Sequence, residues 1–340
     1  MKPALVPPTG NGAGHSAPPS PPPADHPATW LPLNRIIHGD VLAELARLPA
    51  RLAQAVIADP PYGNVLVETG WDTQWQSVAD YLEWCQTWTA QCLRILKDDG
   101  LCFIFGQLGK REHGFIHLMS QLCRSFQFHD LIVWDRVVGY NERRDSLTPA
   151  YEMILVLRKG EKVKFNKESV RIPYDAKTIE RYLKDPRYQD KQERLQHLSQ
   201  GKFATNILSV PSLKGASREK CGHPSQKPLE LIAKLILLST DAGDVVLDPF
   251  LGSGTTAVAA TQQGRNWLGV ELNEEYCAIA RRRLAEVQGL FTAGSEAAQR
   301  LAGTLAPPAV ARDSITAGTE ATAAPARVEE PVAVQLASTA

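Results

Sequence analysis

The sequence predicts an α/β fold: a doubly wound, mostly parallel sheet of seven strands interrupted by one inserted region. Three observations point to it. Short apolar runs, several ending in an acidic residue, alternate with longer stretches of helical spacing. The runs at 101–105, 131–134 and 153–157 are apolar at almost every position, as burial on both faces of a strand demands. Only the segment from about 160 to 222 breaks the alternation. Strands alternating with helices are the pattern of a sheet covered on both faces.

Residues 1–29, rich in Pro and Ala, and 291–340, rich in Ala, Thr, Pro and Glu, are low-complexity tails with too little apolar area to fold. Between them, 30–159 and 223–290 form the two halves of the folded unit, with 160–222 as the insertion. Arg35-Ile36-Ile37-His38 reads as a strand ending at Gly39-Asp40, and Gln54 to Ala58 as a strand ending at Asp59. Ser77-x-x-Asp80 opens a helix that buries Tyr81, Cys85, Trp88 and Cys92, and that should stop at Lys97-Asp98-Asp99-Gly100. After the insertion, Pro228 stands at the first position of a helix. The strands Val245–Leu247 and Trp267–Val270 flank a helix over 255–263, and Asn273 caps a last helix running through Leu284.

Composition narrows the function. Net charge is zero, which taken alone argues against a nucleic-acid partner, yet Arg158 to Lys227 holds 17 Lys and Arg against 8 Asp and Glu. A local excess of that size marks a surface for a polyanion. The six cysteines contain no C-x-x-C pair and fall in core-like segments, so a reduced cytosolic protein without a zinc or disulfide framework is expected. His113 and His117 lie one helical turn apart but lack a third ligand, and no metal site is expected. The longest greasy stretch, Leu231 to Leu238, is short and broken by Lys234, and the N-terminus has no apolar signal segment, so neither membrane span nor secretion signal is read.

Two motifs carry chemistry. In Val245-Val246-Leu247-Asp248-Pro249-Phe250-Leu251-Gly252-Ser253-Gly254-Thr255-Thr256 a strand ends, glycines turn the chain, and a helix begins with unpaired amide donors. Glu271, 23 residues after Asp248, ends the next strand where a carboxylate can accept both hydroxyls of a ribose. No G-x-x-x-x-G-K-[ST] exists and the third glycine of a dinucleotide loop is missing, so the expected ligand is an adenosyl compound without a pyrophosphate, S-adenosylmethionine fitting best. The second motif, Asp59-Pro60-Pro61-Tyr62-Gly63, follows an apolar strand directly. Its prolines stiffen the backbone and remove two donors, leaving carbonyl acceptors beside a carboxylate and a ring. Acceptors plus a stacking face suit a planar base carrying an amine: Asp59 and the Pro60 carbonyl would take its hydrogens, and Tyr62 would stack. Alone, the motif reads equally well as a proline turn.

On these residues the chain resembles the β-class DNA amino-methyltransferases, in which a D/S/N-P-P-Y motif precedes the cofactor loop, and it is most similar to adenine-N6 members of a small orphan-type bacterial kind. The resemblance spans about 34 to 288 and implies a Rossmann-like, class I S-adenosylmethionine-dependent methyltransferase. It implies catalytic roles for Asp59, Pro60, Pro61 and Tyr62. It implies cofactor contacts from Asp40, Lys227, Asp248, Pro249, Phe250, Gly252, Ser253, Gly254, Thr255, Glu271 and Asn273, with Lys227 in His223-Pro224-Ser225-Gln226-Lys227-Pro228, the segment before the helix that cradles the methionine end. It further makes 30–159 the catalytic part, 160–222 the DNA-recognition region and 223–290 the cofactor part; Tyr151-Glu152-Met153-Ile154 resembles the strand before the insertion. Double-stranded DNA in the cytoplasm, at the nucleoid, is the implied partner, and homodimers are common in the family. Cytosine-N4 methylation, usually with serine in place of Asp59, stays open, as does a catalytically idle DNA-binding regulator. RNA or protein amide methylation favours asparagine there and fits less well.

Overall fold

The chain lays down β1 (Arg35–His38), α1 (Val41–Arg47), β2 (Ala53–Ala58), α2 (Val78–Ile95), β3 (Leu96–Gly106), α3 (Gly114–Ser125), β4 (Gln127–Asp135) and β5 (Tyr151–Arg158). The insertion follows, with α4 (Ala176–Lys184), α5 (Lys191–Ser199) and β6 (Ile207–Ser209). The chain then completes α6 (Leu229–Ser239), β7 (Val245–Asp248), α7 (Thr255–Gln262), β8 (Asn266–Glu271) and α8 (Glu274–Thr292). The computed structural model describes residues 32–62, 74–108, 114–139, 144, 147–187 and 189–292. The expectations for the two tails, apart from the last turn of α8, and for Gly63 and His113 lie outside these residues.

The sheet runs β1-β8-β7-β2-β3-β5-β4-β6, and only β5 opposes its neighbours. The doubly wound, mostly parallel sheet is therefore present with eight strands rather than seven. The eighth, β6, comes from within the insertion and pairs in parallel with β4 at Val133↔Ile207 and Trp134↔Leu208. At three residues with no buried side chain it has no apolar period to reveal it.

Both faces of the sheet are covered, which explains the continuous apolar strands. Val56, Ala58, Cys102, Ile104, Leu155 and Leu247 join one core with residues of α1, α2 and α3. Their in-between neighbours Ile57, Leu101, Phe103, Ile154, Val156 and Val246 join a second with α6, α7 and α8. Successive strand side chains point to opposite faces, so each strand needs an apolar residue at every position.

Helix boundaries differ from the sequence reading in places. Ser77 does cap α2, its hydroxyl accepting the Asp80 amide at 3.2 Å. The helix, however, ends at Ile95 with Leu96 as its cap, and β3 already begins at Leu96. Gly100 thus lies inside a strand, where a Cβ would stand 2.7 Å from the Gln54 carbonyl; close backbone approach accounts for it, not helix termination. Pro228 is the cap residue of α6 and not its first turn. Helix α8 continues past Leu284 to Thr292. Among the described residues no helix is long and apolar enough to cross a membrane.

The insertion is rooted in the main fold at both ends. Lys164 forms ion pairs with Asp241 and Asp244 at 2.8 and 2.7 Å, and β6 extends the sheet. Between them a neck closes where Ile172 and Lys202 exchange two backbone hydrogen bonds of 2.8 and 2.9 Å. Gly201 turns the chain at φ +77° beside the neck, and a Cβ there would stand 2.6 Å from the Ile172 carbonyl. Above the neck α4 and α5 are joined by Tyr182, which packs edge-on against Tyr174 and carries the Arg194 guanidinium 5.2 Å from its ring centre.

Gly106 sets a test of the core. A Cβ there would stand 1.9 Å from the ring of the buried Phe115, so Gly106→Ala must push α3 off the end of β3. The expected loss is about 1–3 kcal/mol of unfolding free energy in urea titration, with an unchanged m-value.

Candidate active site

Strand order reverses between β2 and β7, which pair in parallel at Ala55↔Val246 and Val56↔Leu247. From β7 the chain winds outward to β8, beside which the first strand β1 forms the edge, and from β2 it winds the other way to β3. The connections leave a crevice at the carboxyl ends of such strands. Asp59 directly follows β2 and Asp248 ends β7, so both motifs open into the same place. A cavity of about 470 Å³ lies there, lined by Asp40, Asp59 to Tyr62, Lys227, Asp248 to Ser253, Thr255, Glu271 and Asn273, among others.

On one side of the cavity the loop after β7 is tightly prearranged. The Phe250 amide donates to Asp248 Oδ1 at 2.9 Å. Gly252 sits at φ +52°, and a Cβ there would stand 3.1 Å from His223 Nε2. Its amide donates to Glu271 Oε2 at 2.7 Å, while the Asn273 amide donates to Glu271 Oε1 at 2.8 Å. Glu271 is thereby oriented by two backbone donors, and burial raises its carboxyl above the usual range against their pull. From α8 the buried Arg283 holds the loop from behind, donating to the Ser253 carbonyl at 2.9 Å and to Thr255 Oγ1 at 3.0 Å. Burial, with Lys227 and Arg283 nearby, lowers His223 to about 4, and its Nδ1 accepts the Ser225 amide at 3.3 Å; the ring is neutral near pH 7.

On the other side stands a buried polar cluster. Both oxygens of Asp59 carry donors: Lys227 Nζ at 2.7 Å from Oδ2, and the Tyr62 hydroxyl at 2.6 Å from Oδ1. Glu152 of β5, also buried, lies 3.2 Å from the same hydroxyl and 3.4 Å from Lys227 Nζ. Burial, then the Asp59 and Glu152 charges, push the Tyr62 phenol well above its usual range, so it acts as a donor. Burial pulls Lys227 down, but the two carboxylates pull harder and hold it above the usual lysine range. The Pro61 carbonyl is taken by the Tyr81 hydroxyl at 2.9 Å, while the Pro60 carbonyl has no hydrogen bond among the described residues.

A family model for DNA methylase of the N6/N4 type matches residues 53–282. The chain belongs to that family. The DNA adenine methyltransferase YhdJ of Escherichia coli (strain K12) is 34% identical over 252 residues, spanning 73% of this chain and 82% of that protein. The type II methyltransferase M.HinfI of Haemophilus influenzae is 29% identical over 279 residues, spanning 75% and 69%. In fold, the chain is similar to the cytosine-N4-specific PvuII DNA methyltransferase, with a TM-score of 0.56, 18% identity, and coverage of 73% and 85%.

In this DNA methylase the expected site residues converge on the cavity with one exception. Gly254 does not line the cavity. It caps α7 at φ +81°, and a Cβ there would stand 2.7 Å from the Cβ of Ala280, so it serves the packing of α7 on α8. Lys227 lines the cavity, and its ammonium pairs with Asp59 at 2.7 Å. Asp40 is both a lining residue and the cap of α1, its Oδ1 accepting the Leu42 and Ala43 amides at 3.0 Å. Asn273 caps α8 through the Glu275 amide at 2.8 Å. Trp84, which the sequence reading passed over, lines the cavity and packs 5.6 Å from the Phe250 ring. A signal existed, because Trp84 lies three after Tyr81 and four before Trp88 on the same helix stripe. Glu152 also went unassigned; a lone carboxylate inside an apolar strand was its mark.

Burial lifts the Asp248 carboxyl to about 7, with repulsion from Asp59 and Glu271 opposing hydrogen bonds from Thr256 and the Phe250 amide. A carboxyl that holds its proton more tightly when folded stabilises the protein below its unfolded value of 3.8 and loses that contribution as pH rises through about 7. The neutral isostere Asp248→Asn should therefore gain thermal stability relative to the native protein between about pH 4 and about pH 8. The expected relative gain is on the order of 1–3 kcal/mol, read from melting curves without ligand. A pH-independent difference would contradict the assigned burial.

Proposed function

We propose that this DNA methylase transfers a methyl group from S-adenosylmethionine to the N6 amine of an adenine rotated out of duplex DNA. One observation carries the reading. A carboxylate, Asp59, and the carbonyl of Pro60, which takes no hydrogen bond among the described residues, sit at the end of β2 in the same cavity as the β7 loop. Two acceptors suit the two hydrogens of an exocyclic amine, and taking a base out of the stack costs a few kcal/mol that stacking and these hydrogen bonds return.

The residues fit the cofactor. Gly252 leaves open the space a Cβ would fill beside His223, Glu271 offers a fixed carboxylate for ribose hydroxyls, and Phe250 with Trp84 gives an aromatic wall. Loop amides at the start of α7 and the neutral His223 are donors for the methionine end, and Asp248 is an acceptor there. S-adenosylmethionine, when bound, supplies an electrophilic methyl group on a sulfonium and leaves as a neutral thioether. Asp59 and the Pro60 carbonyl accept hydrogen bonds from the amine, which keeps its lone pair on nitrogen and aims it at the methyl carbon. Asp59 would stabilise the positive charge the nitrogen gains on methylation and would then take its proton. Tyr62, tied by its hydroxyl, presents its ring as a flat wall for the base. Catalysis of this kind is positioning and electrostatics in a site screened from water.

Adenine is favoured over cytosine by the aspartate at the first motif position and by the adenine activity for which the E. coli relative is named. The insertion, with its basic excess, is read as the DNA-recognition region, and the chain would work on double-stranded DNA in the cytoplasm, at the nucleoid. Methyl-labelled cofactor and unmethylated genomic DNA test the reaction: the product should be N6-methyladenine. Asp59→Ala should lower turnover by about a thousandfold or more while cofactor affinity stays within about threefold. Recovery of N4-methylcytosine, or substantial turnover by Asp59→Ala, would remove the assignment. Lys177 and Arg181 lie one turn apart on the exposed part of α4. Replacing both with Gln should reduce the slope of log affinity for DNA against log salt by about one to two units; an unchanged slope would put the DNA elsewhere.

A further inference from the structure

The cluster around Asp59 raises a difficulty for the proposed reaction. Each oxygen of Asp59 already accepts one donor, Lys227 on Oδ2 and Tyr62 on Oδ1, so an incoming amine must share an occupied oxygen or displace a donor from it. Pulling either donor away without a replacement would leave a buried ammonium or hydroxyl unsatisfied, which costs more than a new hydrogen bond returns.

Glu152 is placed to remove that cost. The Tyr62 hydroxyl has one proton and two carboxylate acceptors within reach, Asp59 Oδ1 at 2.6 Å and Glu152 Oε2 at 3.2 Å. The Lys227 ammonium has Asp59 Oδ2 at 2.7 Å, the Tyr62 oxygen at 3.0 Å and Glu152 Oε2 at 3.4 Å. Glu152 itself is held in place on its far oxygen, where Gln107 donates at 3.1 Å and Arg136 at 3.4 Å. The second positive charge matters. Asp59 and Glu152 are balanced by Lys227 and Arg136, so the four charges sum to zero whichever carboxylate Lys227 favours. A lysine that needed only one counter-charge would have no use for a second buried acid with its own arginine.

We infer that Glu152 is a positioning residue that takes over Lys227 and Tyr62 when the target amine reaches Asp59, so that the closed resting pair opens without stranding a buried donor. The inference rests on the reading of Asp59 as the amine acceptor. It gives β5 a part in catalysis, and makes Lys227 a latch on the catalytic acid.

The sign of a double substitution tests it. Glu152→Gln keeps the shape but removes the alternative anion, so Lys227 stays on Asp59; kcat should fall at least about tenfold with KM for DNA within about threefold. Lys227→Met added to Glu152→Gln restores charge balance and removes the latch, so the double variant should turn over at least about threefold faster than Glu152→Gln alone. A purely structural counter-charge would also gain from the restored charge balance, but would then raise the melting temperature of the double variant together with its rate, whereas release of the latch raises the rate with no gain in melting temperature over Glu152→Gln. Initial rates with methyl-labelled S-adenosylmethionine and saturating unmethylated genomic DNA give both numbers. Comparison of the two variants with each other stays informative even when both melt below the native protein. A rate for Glu152→Gln within tenfold of native, or a double variant no faster than the single, overturns the inference. Asp59→Asn is assayed alongside: if it remains active, the reading of Asp59 fails first. If it is inactive while Glu152→Gln is not impaired, only the role given to Glu152 is lost.

Discussion

The active site depends on β2 and β7 lying side by side as parallel neighbours, although one is near the start of the folded unit and the other near its end. Parallel pairing sends both carboxyl ends the same way, and the reversal of winding keeps any helix from crossing the gap between them. Asp59 and Asp248 are brought together by that backbone constraint before any side chain is chosen. The consequence is a concentration of acids: Asp59, Asp248 and Glu271 in one partly enclosed space. Such a space favours a cationic ligand, and burial, with smaller repulsion from Asp59 and Glu271, holds the Asp248 carboxyl above its usual range.

The structure meets this excess of negative charge differently on its two sides. On the β7 side Glu271 is held by two backbone amides, and Arg283 donates to the loop at Ser253. The carboxylates there line the cavity. On the β2 side Asp59 is closed by a lysine and a phenol, with a second acid behind them. One half is fixed in advance and the other is bistable, a division suited to a ligand that must be held still beside a base that must be brought in.

Much of this was legible in the sequence, for physical reasons. Strands buried on two faces are apolar throughout, so 101–105 and 153–157 stood out; the doubly wound class followed from their alternation with helices. The two motifs were readable because each is local: a strand end, a turn and a helix start within a dozen residues. Gly100 misled because a sequence shows that a glycine is present but not which neighbour forbids a Cβ. The ion pairs of Lys227 were out of reach for a related reason. Its partners Asp59 and Glu152 are far off in the chain, and pairings of that kind appear only after the sheet is assembled. Strand β6 was invisible because an edge strand of three residues with no buried side chain leaves no pattern.

The neck formed by Ile172 and Lys202 has a consequence for how such a protein can diversify. Among the described residues, the neck itself is two backbone hydrogen bonds whose formation does not depend on side-chain identity, beside the turn at Gly201, whose carbonyl Arg171 also holds at 2.8 Å. Closing a loop of different length across the same neck changes the entropy only logarithmically. The α4–α5 hairpin is therefore an exchangeable cassette: its length and surface can be rewritten, or replaced by that of a relative, while β6 below it keeps its register on the sheet. New preferences for a partner can accumulate there without renegotiating the core.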